Sequence, residues 1–262
     1  KTIFMATDLV NLGKESSFKN WVTLRNEFVF DNTINKGLNL YNGGRYKFFA
    51  EYYRLLEDEK TNMIILGIDA RNYQKLSHSI IWANRFAAST SFGNQKLLYY
   101  MGGVDAWLMP QFNQETEVAE NENYSYQTLA TNMRGFNQNV RNGNSFFVIN
   151  TEFRVPLLKY ILRRPITSDL INNFQIVTFA DFGTTWNGLT PFSKENQINY
   201  EVIENGPVTI TIDKQKNPFV GGFGFGARSR LFGYFLRADW AWGVEDGYVL
   251  PSILYISLGL DF

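Results

Sequence analysis

The chain contains no cysteine and only one histidine, His78. The absence of cysteine excludes disulfides, thiolate zinc sites and cysteine nucleophiles. A histidine-dependent triad has His78 as its one candidate base, and the sequence pattern places that residue at a turn on the periplasmic side, an unlikely place for a catalytic base. We therefore expect no enzyme, no cofactor and no metal, and we read the acidic stretch 115–122 as a solvated loop in preference to a weak calcium site.

The chain also lacks an excess of charge of either sign and any long hydrophobic run. Its 25 basic side chains balance its 25 acidic ones, so a nucleic acid is not an expected partner. No window approaches the roughly 18 apolar residues of a membrane-spanning helix. The first eight residues do not resemble a signal peptide, so we expect any export signal to be removed or to lie upstream.

What the sequence does contain is repeated alternation of apolar and polar residues, the period of a β-strand. In the segment Phe147–Val155, for example, rings and aliphatic side chains take one face and Asn150, Glu152 and Arg154 take the other. Nine segments have this pattern: 21–31, 45–53, 63–71, 79–91, 147–155, 174–183, 219–231, 234–242 and 253–262. A less regular tenth candidate covers 3–12.

The two faces of these segments differ in a way that is unusual for a soluble β-protein. The polar faces carry acids and bases in alternation, such as Asp69 with Arg71 and Arg237 with Asp239, which suits a narrow wet interior. The apolar faces carry aromatic rings near the strand ends, as in the aromatic girdles of membrane proteins. A lipocalin-like soluble barrel, the alternative, would place its rings inside. The sequence therefore predicts an all-β fold, a transmembrane antiparallel β-barrel of ten or more strands.

We assign residues 1–262 to one barrel domain, with 1–17 as an uncertain lead-in.

The lengths of the connections predict which side of the membrane each one faces. Outer-membrane barrels have short turns on one side and long loops on the other. If the last strand descends to the periplasm, the two longest connections, 92–145 and 187–218, are both extracellular.

Four motifs occur in order along the chain: Met133-Arg-Gly-Phe136, Phe179-Ala-Asp-Phe-Gly183 with Trp186 after it, the glycine-rich run Gly221–Arg228, and Leu258-Gly-Leu-Asp-Phe262. In this order they resemble the motifs of the BamA-type outer-membrane assembly and secretion barrels, also called bacterial surface-antigen barrels. The resemblance covers residues 18 to 262. Members of that family commonly have sixteen strands preceded by periplasmic domains. The chain is then either the C-terminal part of such a barrel or a smaller barrel, and any periplasmic domain lies upstream of it.

The resemblance implies that the long loop folds back into the barrel and presents Arg134 to the strands. Gly135 would allow a tight turn and Phe136 would wedge the loop tip. The loop partners implied on the strands are Asp181, Gly183 and, as a second acidic partner, Glu152. We therefore expect a loop that fills the lumen around one charge-assisted arginine contact.

The last strand has its own implied role. In the family it is a signal read by the assembly machinery, and its closing aromatic anchors at the periplasmic interface. The residues that match this signal are Leu258, Gly259, Leu260 and Phe262.

The function implied by the resemblance is insertion or translocation of polypeptides across a bacterial outer membrane, through a lateral seam and without covalent catalysis. The implied partners are outer-membrane lipid, client or secreted polypeptides, and periplasmic accessory proteins or an upstream periplasmic domain. Two alternatives stay open: a barrel that anchors a periplasmic partner as a scaffold, and a plugged pore.

Overall fold

The structure is a computed structural model that describes residues 20–58, 60–77, 80–119, 122–161, 168–196, 198–205, 208–214 and 216–259. Four features predicted from the sequence lie outside these residues: the lead-in 1–17 with the tenth candidate strand, His78, Leu260 and Phe262.

Strands make up most of the described chain. In chain order they are β1 (Trp21–Asp31), β2 (Ile34–Gly37), β3 (Leu40–Leu55), β4 (Asn62–Ser77), β5 (Ile80–Gly93), β6 (Lys96–Met101), β7 (Tyr124–Leu129), β8 (Arg141–Gly143), β9 (Ser145–Val155), β10 (Gln175–Trp186), β11 (Tyr200–Asn205), β12 (Val208–Asp213), β13 (Val220–Leu231), β14 (Tyr234–Glu245), β15 (Tyr248–Val249) and β16 (Ile253–Leu258). Two short helices, α1 (Leu157–Ile161) and α2 (Asp169–Asn172), lie between β9 and β10. All nine segments predicted from alternation contain strands, so the all-β prediction is confirmed.

Nine strands form one wide antiparallel sheet in the order β1-β3-β4-β5-β9-β10-β13-β14-β16, with the short strands β2 and β15 paired to β3 and β14. Because neighbours are antiparallel, successive connections alternate between the two ends of the sheet. The connections 94–144 and 187–219 therefore emerge together at one end, the loop end. The opposite turn end has the β2–β3 hairpin, the two helices and the two-residue link 232–233. The described residues include no pairing between β1 and β16.

The two faces of this sheet differ in the way that the alternation predicts. Glu152 and Arg154 of β9 and Arg228 of β13 are at most 1% exposed, and they define the inner face. Phe153 of β9 and Phe225 of β13 are 42% and 49% exposed, and they define the outer face. Charged side chains are thus buried while large apolar side chains are exposed, which is the reverse of the usual arrangement in a water-soluble protein.

The connection 94–144, which we call the long loop, packs on the inner face. Within it, β6 pairs in parallel with β7 and antiparallel with β8. Its apolar side chains join side chains of the sheet in one buried cluster: Ala87, Tyr99, Met101, Met133, Phe136, Val140, Phe146, Val148 and Val220. This apolar cluster therefore lies between the long loop and the sheet.

Candidate functional site: a buried arginine cluster under the long loop

The long loop reaches the centre of the inner face through residues 131–136. The backbone N–H of Met133 donates to the carbonyl of Gly103 at 2.9 Å, which fixes this segment within the loop. The side-chain amide of Asn150, on β9, donates to the carbonyl of Asn132 at 2.9 Å. These contacts hold the next residue, Arg134, against β9 and β10.

Arg134 is 1% exposed and donates to two carboxylates. Its Nε and Nη2 donate to the two oxygens of Asp181, each at 2.7 Å, as a bidentate pair. Its Nη1 donates to Glu152 at 2.6 Å, and its backbone N–H donates to Asp181 at 3.0 Å. The guanidinium also lies 3.6 Å from the ring centroid of Phe179. The structure therefore contains both acidic contacts of Arg134 that the sequence led us to expect.

Burial by itself lowers the pKa of Arg134, but the negative charges of Asp181 and Glu152 outweigh that effect and raise its pKa above the ordinary value. The guanidinium therefore stays charged. Its charge stabilises Asp181 and Glu152, because a buried carboxylate without a cationic partner would carry a large desolvation cost.

Further arginines surround the same carboxylates. Glu152 accepts hydrogen bonds from Arg154 at 2.8 Å and from Arg228 at 2.7 and 2.9 Å. Asp239 lies 3.3 Å from Arg237 and 3.8 Å from Arg228. We call this set the arginine cluster: Arg134, Glu152, Arg154, Asp181, Arg228, Arg237 and Asp239. Its members are at most 3% exposed, and four bases against three acids leave it with one positive charge.

A second group of mixed charges lies on the inner face toward β1. Asp69 of β4 accepts from Arg71 at 2.9 Å and from Arg85 at 2.7 Å. Lys47 of β3 lies 2.8 Å from Glu27 of β1. The pairing of opposite charges that the sequence predicted for the polar faces is therefore present.

Close approach of the loop to the sheet depends on glycines from both sides. Gly135 has φ +98°, and a Cβ there would lie 2.5 Å from the backbone nitrogen of Gly243 on β14. A Cβ at Gly222 of β13 would lie 1.8 Å from the carbonyl oxygen of Arg134. We expected Gly183 to receive the loop, but the three atoms nearest to a Cβ there belong to Phe147 and Val148 of the neighbouring strand. The loop tip thus lies closest to glycines of β13 and β14, and the role of Gly183 in receiving the loop stays a prediction.

The loop tip also makes a contact with the last strand that sequence reasoning missed. Tyr255 of β16 accepts a hydrogen bond from the N–H of Gly135 at 2.9 Å, and its hydroxyl donates to the carbonyl of Phe136 at 2.8 Å. The available signal was alternation: Ile256 and Leu258 mark the apolar face of the last strand, so Tyr255 falls on its polar face. Phe136, 3% exposed, packs in the buried cluster described above, as its expected role at the loop tip requires.

The inner face is also covered at the turn end, which the sequence did not indicate. There the tip of the β2–β3 hairpin lies across the sheet: Arg154 donates to the carbonyl of Asn39 at 3.1 Å, and Gln175 donates to the carbonyl of Leu38 at 2.5 Å. Asn39 has φ +58°, a conformation that asparagine tolerates better than most residues. Since β3 is four places from β10 in the sheet order, these contacts require a strongly curved sheet.

The terminal-strand residues that the structure describes make backbone contacts. Leu258 pairs with Leu236 of β14, and the N–H of Gly259 donates to the carbonyl of Phe235 at 3.1 Å. The N–H of Leu258 points to the other side of the strand and donates to the carbonyl of Ala106 in the long loop at 3.3 Å. The signal role assigned to these residues stays a prediction.

Comparison of the chain with protein-family models finds no match, and comparison with curated proteins finds none either. Within the described ranges, no group of three or more histidine, cysteine, aspartate or glutamate side chains could hold a metal ion. No helix in the part of the chain that the structure describes is long and apolar enough to cross a membrane.

Proposed function

We propose that the chain forms a transmembrane β-barrel, or the C-terminal part of one, in a bacterial outer membrane, and that it inserts or translocates polypeptides through a lateral seam without covalent chemistry. The surroundings of this barrel would be outer-membrane lipid, and its clients would be polypeptides in extended form. The resemblance of the four ordered motifs to BamA-type barrels supports the transport role.

The observation that carries the membrane part of the proposal is the reversed distribution of polarity across the sheet. Arginine and carboxylate side chains are buried and paired, while Phe153, Phe225, Leu66 and Trp240 are each more than 40% exposed on the outer face. A large contiguous apolar surface is costly in water and favourable against hydrocarbon. A bilayer around the outer face accounts for both halves of the pattern.

Strand length and ring placement give further support. The eight long strands from β1 to β14 have 11 to 16 residues, enough for the 9–11 that a tilted transmembrane strand needs. On the outer face, Trp82 and Phe153 stack with centroids 5.9 Å apart near the turn end. Phe182 and Phe219 stack at 5.6 Å near the loop end. Rings at both ends suit the two interfaces of a membrane.

The filled interior favours polypeptide handling or anchoring over a diffusion pore. The long loop covers the inner face at its centre, and the hairpin tip at Asn39 covers the turn end. We therefore expect little single-channel conductance from the protein in planar bilayers. A steady large conductance that persists with the loop intact would instead indicate a diffusion pore and contradict a lumen filled by the loop.

A matched pair of substitutions tests the membrane environment directly. Leu66 of β4 is 43% exposed on the outer face, and Leu189 in the loop after β10 is 96% exposed. Leu66→Arg should cost between about 1 and 4 kcal/mol of unfolding free energy in liposomes, the range for a lipid-facing arginine between the edge of the hydrocarbon and the bilayer midplane. Leu189→Arg should change it by less than about 0.5 kcal/mol, because that side chain lies in water. Equal, small effects of both substitutions would refute the lipid-facing assignment.

The transport step is tested by adding an unfolded outer-membrane protein to liposomes that contain the purified chain. We expect the client to insert faster into these liposomes than into empty ones. Liposomes that contain the Arg134→Ala protein provide the comparison for the insertion rate. Stable insertion of the chain itself with no acceleration of the client would favour the anchor alternative.

A further inference from the structure

Among the described strands β16 pairs only with β14, and a piece of the protein's own long loop lies on its other edge, which we call the free edge. The N–H of Leu108 donates to the carbonyl of Ile256 at 2.9 Å, and the N–H of Leu258 donates to the carbonyl of Ala106 at 3.3 Å. Trp107 and Ser257 form the antiparallel bridge between these two bonds. We call residues 106–109 the edge strap.

The edge strap imitates one more strand of the sheet. The Trp107 ring lies 4.7 Å, centroid to centroid, from Tyr255, which is on the inner face. Side chains alternate along extended backbone, so Leu108 falls on the side of Ile256, and it is 53% exposed. The strap thus repeats the pattern of the long strands, with a ring inside and an aliphatic side chain outside.

The strand directions show how a strand that pairs with the whole edge of β16 would run and where it could come from. Every neighbouring pair in the nine-strand order is antiparallel, so β1 and β16 run in the same direction. β1 could therefore join β16 only as a parallel neighbour, whereas the strap pairs with it antiparallel. An antiparallel partner longer than the strap has to come from outside the nine strands.

The neighbourhood of the strap is apolar and incompletely filled. Met109 is 70% exposed and Leu254 is 40% exposed. Both line a cavity of about 340 Å³ beside the strap, together with Trp107 and Ile256. A strand added to β16 would cover this surface, and backbone hydrogen bonds along a sheet edge are the usual source of affinity in such additions.

We infer that the edge strap is a built-in competitor for this edge of β16: it occupies the backbone groups that an extended client strand, antiparallel to β16 and apolar on its outer face, would need under the proposed function. The incoming strand and the strap need the same carbonyl of Ile256 and the same N–H of Leu258. Binding therefore requires release of the strap. This inference rests on the proposed function, since it names the surface at which a client strand would be held.

The absence of native cysteine makes a locked strap easy to build. Trp107 and Ser257 are bridge partners in a non-hydrogen-bonded antiparallel pair, whose Cα atoms lie about 4.5 Å apart, within the range that a disulfide spans. Trp107→Cys with Ser257→Cys gives a protein whose strap is locked when oxidised and free when reduced. Thr90→Cys with Ser145→Cys is the matched control, because their hydroxyls already meet at 2.7 Å between β5 and β9, away from β16.

The probe is a fluorescent synthetic peptide with the sequence Tyr234–Glu245, because β14 pairs antiparallel with β16 in the fold. A peptide of the same composition in scrambled order corrects for nonspecific binding. With detergent-solubilised protein, we expect the locked variant to bind the peptide at least about tenfold more weakly than its reduced form, and the control pair to show no change on oxidation. Equal binding by the locked and reduced forms would overturn the inference.

A second variant tests the opposite direction. Leu108→Pro removes the N–H that donates to Ile256 and should tighten peptide binding about fivefold, the equivalent of one net hydrogen bond. Leu108→Ala keeps that N–H and should change binding less. Equal binding by these two variants would count against the strap as competitor. The outcome is separable from that of the proposed function: locked-strap inhibition of peptide binding without client insertion refutes transport alone, and client insertion with unaltered peptide binding refutes the strap alone.

Discussion

Arg134 is the residue whose removal should disturb the protein most. Arg134→Ala leaves Asp181 with two donors, the amide of Asn150 at 2.8 Å and the backbone N–H of residue 134. Glu152 keeps two arginines, so the damage falls on Asp181. Leaving one member of a buried ion pair without its partner costs about 3–5 kcal/mol. Arg134→Lys should lie between wild type and Ala, because one ammonium cannot form a bidentate pair with Asp181 and also reach Glu152.

A double-mutant cycle separates the pair from its surroundings. Asp181→Asn keeps the shape of the side chain and removes its charge. The two 2.7 Å distances indicate a direct bidentate contact. The double variant Arg134→Ala with Asp181→Asn should therefore lose less unfolding free energy than the two single variants added together, by about 1.5–3 kcal/mol. Arg230→Ala is the control: Arg230 is an exposed arginine 3.5 Å from Asp169, and such a surface pair contributes at most about 1 kcal/mol.

Cysteine labelling reports the effect locally. Gln138→Cys adds a single thiol to the half-buried part of the long loop, and its rate of reaction with a maleimide measures how often the loop opens. If the loss of the ion pair lowers the free energy of loop opening by about 3–5 kcal/mol, the open form is populated more often. Labelling should then be roughly a hundredfold or more faster in Arg134→Ala than in the parent. An unchanged rate, or a cycle that is additive within about 0.5 kcal/mol, would refute the assignment of Arg134 as the residue that holds the loop.

Two further substitutions test the loop contacts. Gly222→Ala should destabilise loop docking by about 1–3 kcal/mol, because its Cβ would lie 1.8 Å from a backbone carbonyl of the loop that cannot easily move. Gly221→Ala, whose nearest neighbour atom would be 3.7 Å away, is the matched control, and equal effects in the same labelling assay would contradict the close approach. Tyr255→Phe leaves two buried backbone groups of the loop without their partner and should cost about 1–3 kcal/mol in denaturant titrations. Tyr248→Phe, at a 74% exposed position, should have no measurable cost, and a harmless Tyr255→Phe would show that water replaces the hydroxyl.

The sequence predicted those parts of the fold that depend on local periodicity. A period of two residues identifies a strand and assigns each side chain to a face, so Glu152, Arg154 and Asp181 were placed on the polar face, which is the inner one. It does not reveal which distant segments meet. The hairpin tip at Leu38 and Asn39 reaches β9 and β10 across more than a hundred residues, and nothing in the local sequence of the tip indicates that contact.

The same limit explains what was missed inside the long loop. Its strands β6, β7 and β8 are short and pair with one another, so alternation over three to six residues was too brief to detect. Arg134 was found because its motif resembles that of a family, since a lone arginine in a polar loop carries no distinguishing pattern. Gly243 was missed for a related reason: a motif names a strand, but the position of the loop over the sheet decides which glycines it touches.

The centre of the inner face and the edge of the sheet are held by the same loop, so they should respond together. Arg134 fixes the loop to β10, the next two residues bond to Tyr255 on β16, and the ring of Tyr255 packs against Trp107 of the edge strap. Arg134→Ala should therefore also tighten binding of the β14 peptide, in the direction expected for Leu108→Pro, and in the locked-strap variant this gain should disappear. If Arg134→Ala frees the loop to maleimide while peptide binding stays unchanged, the edge strap is held by its own hydrogen bonds to β16 and is independent of the arginine cluster.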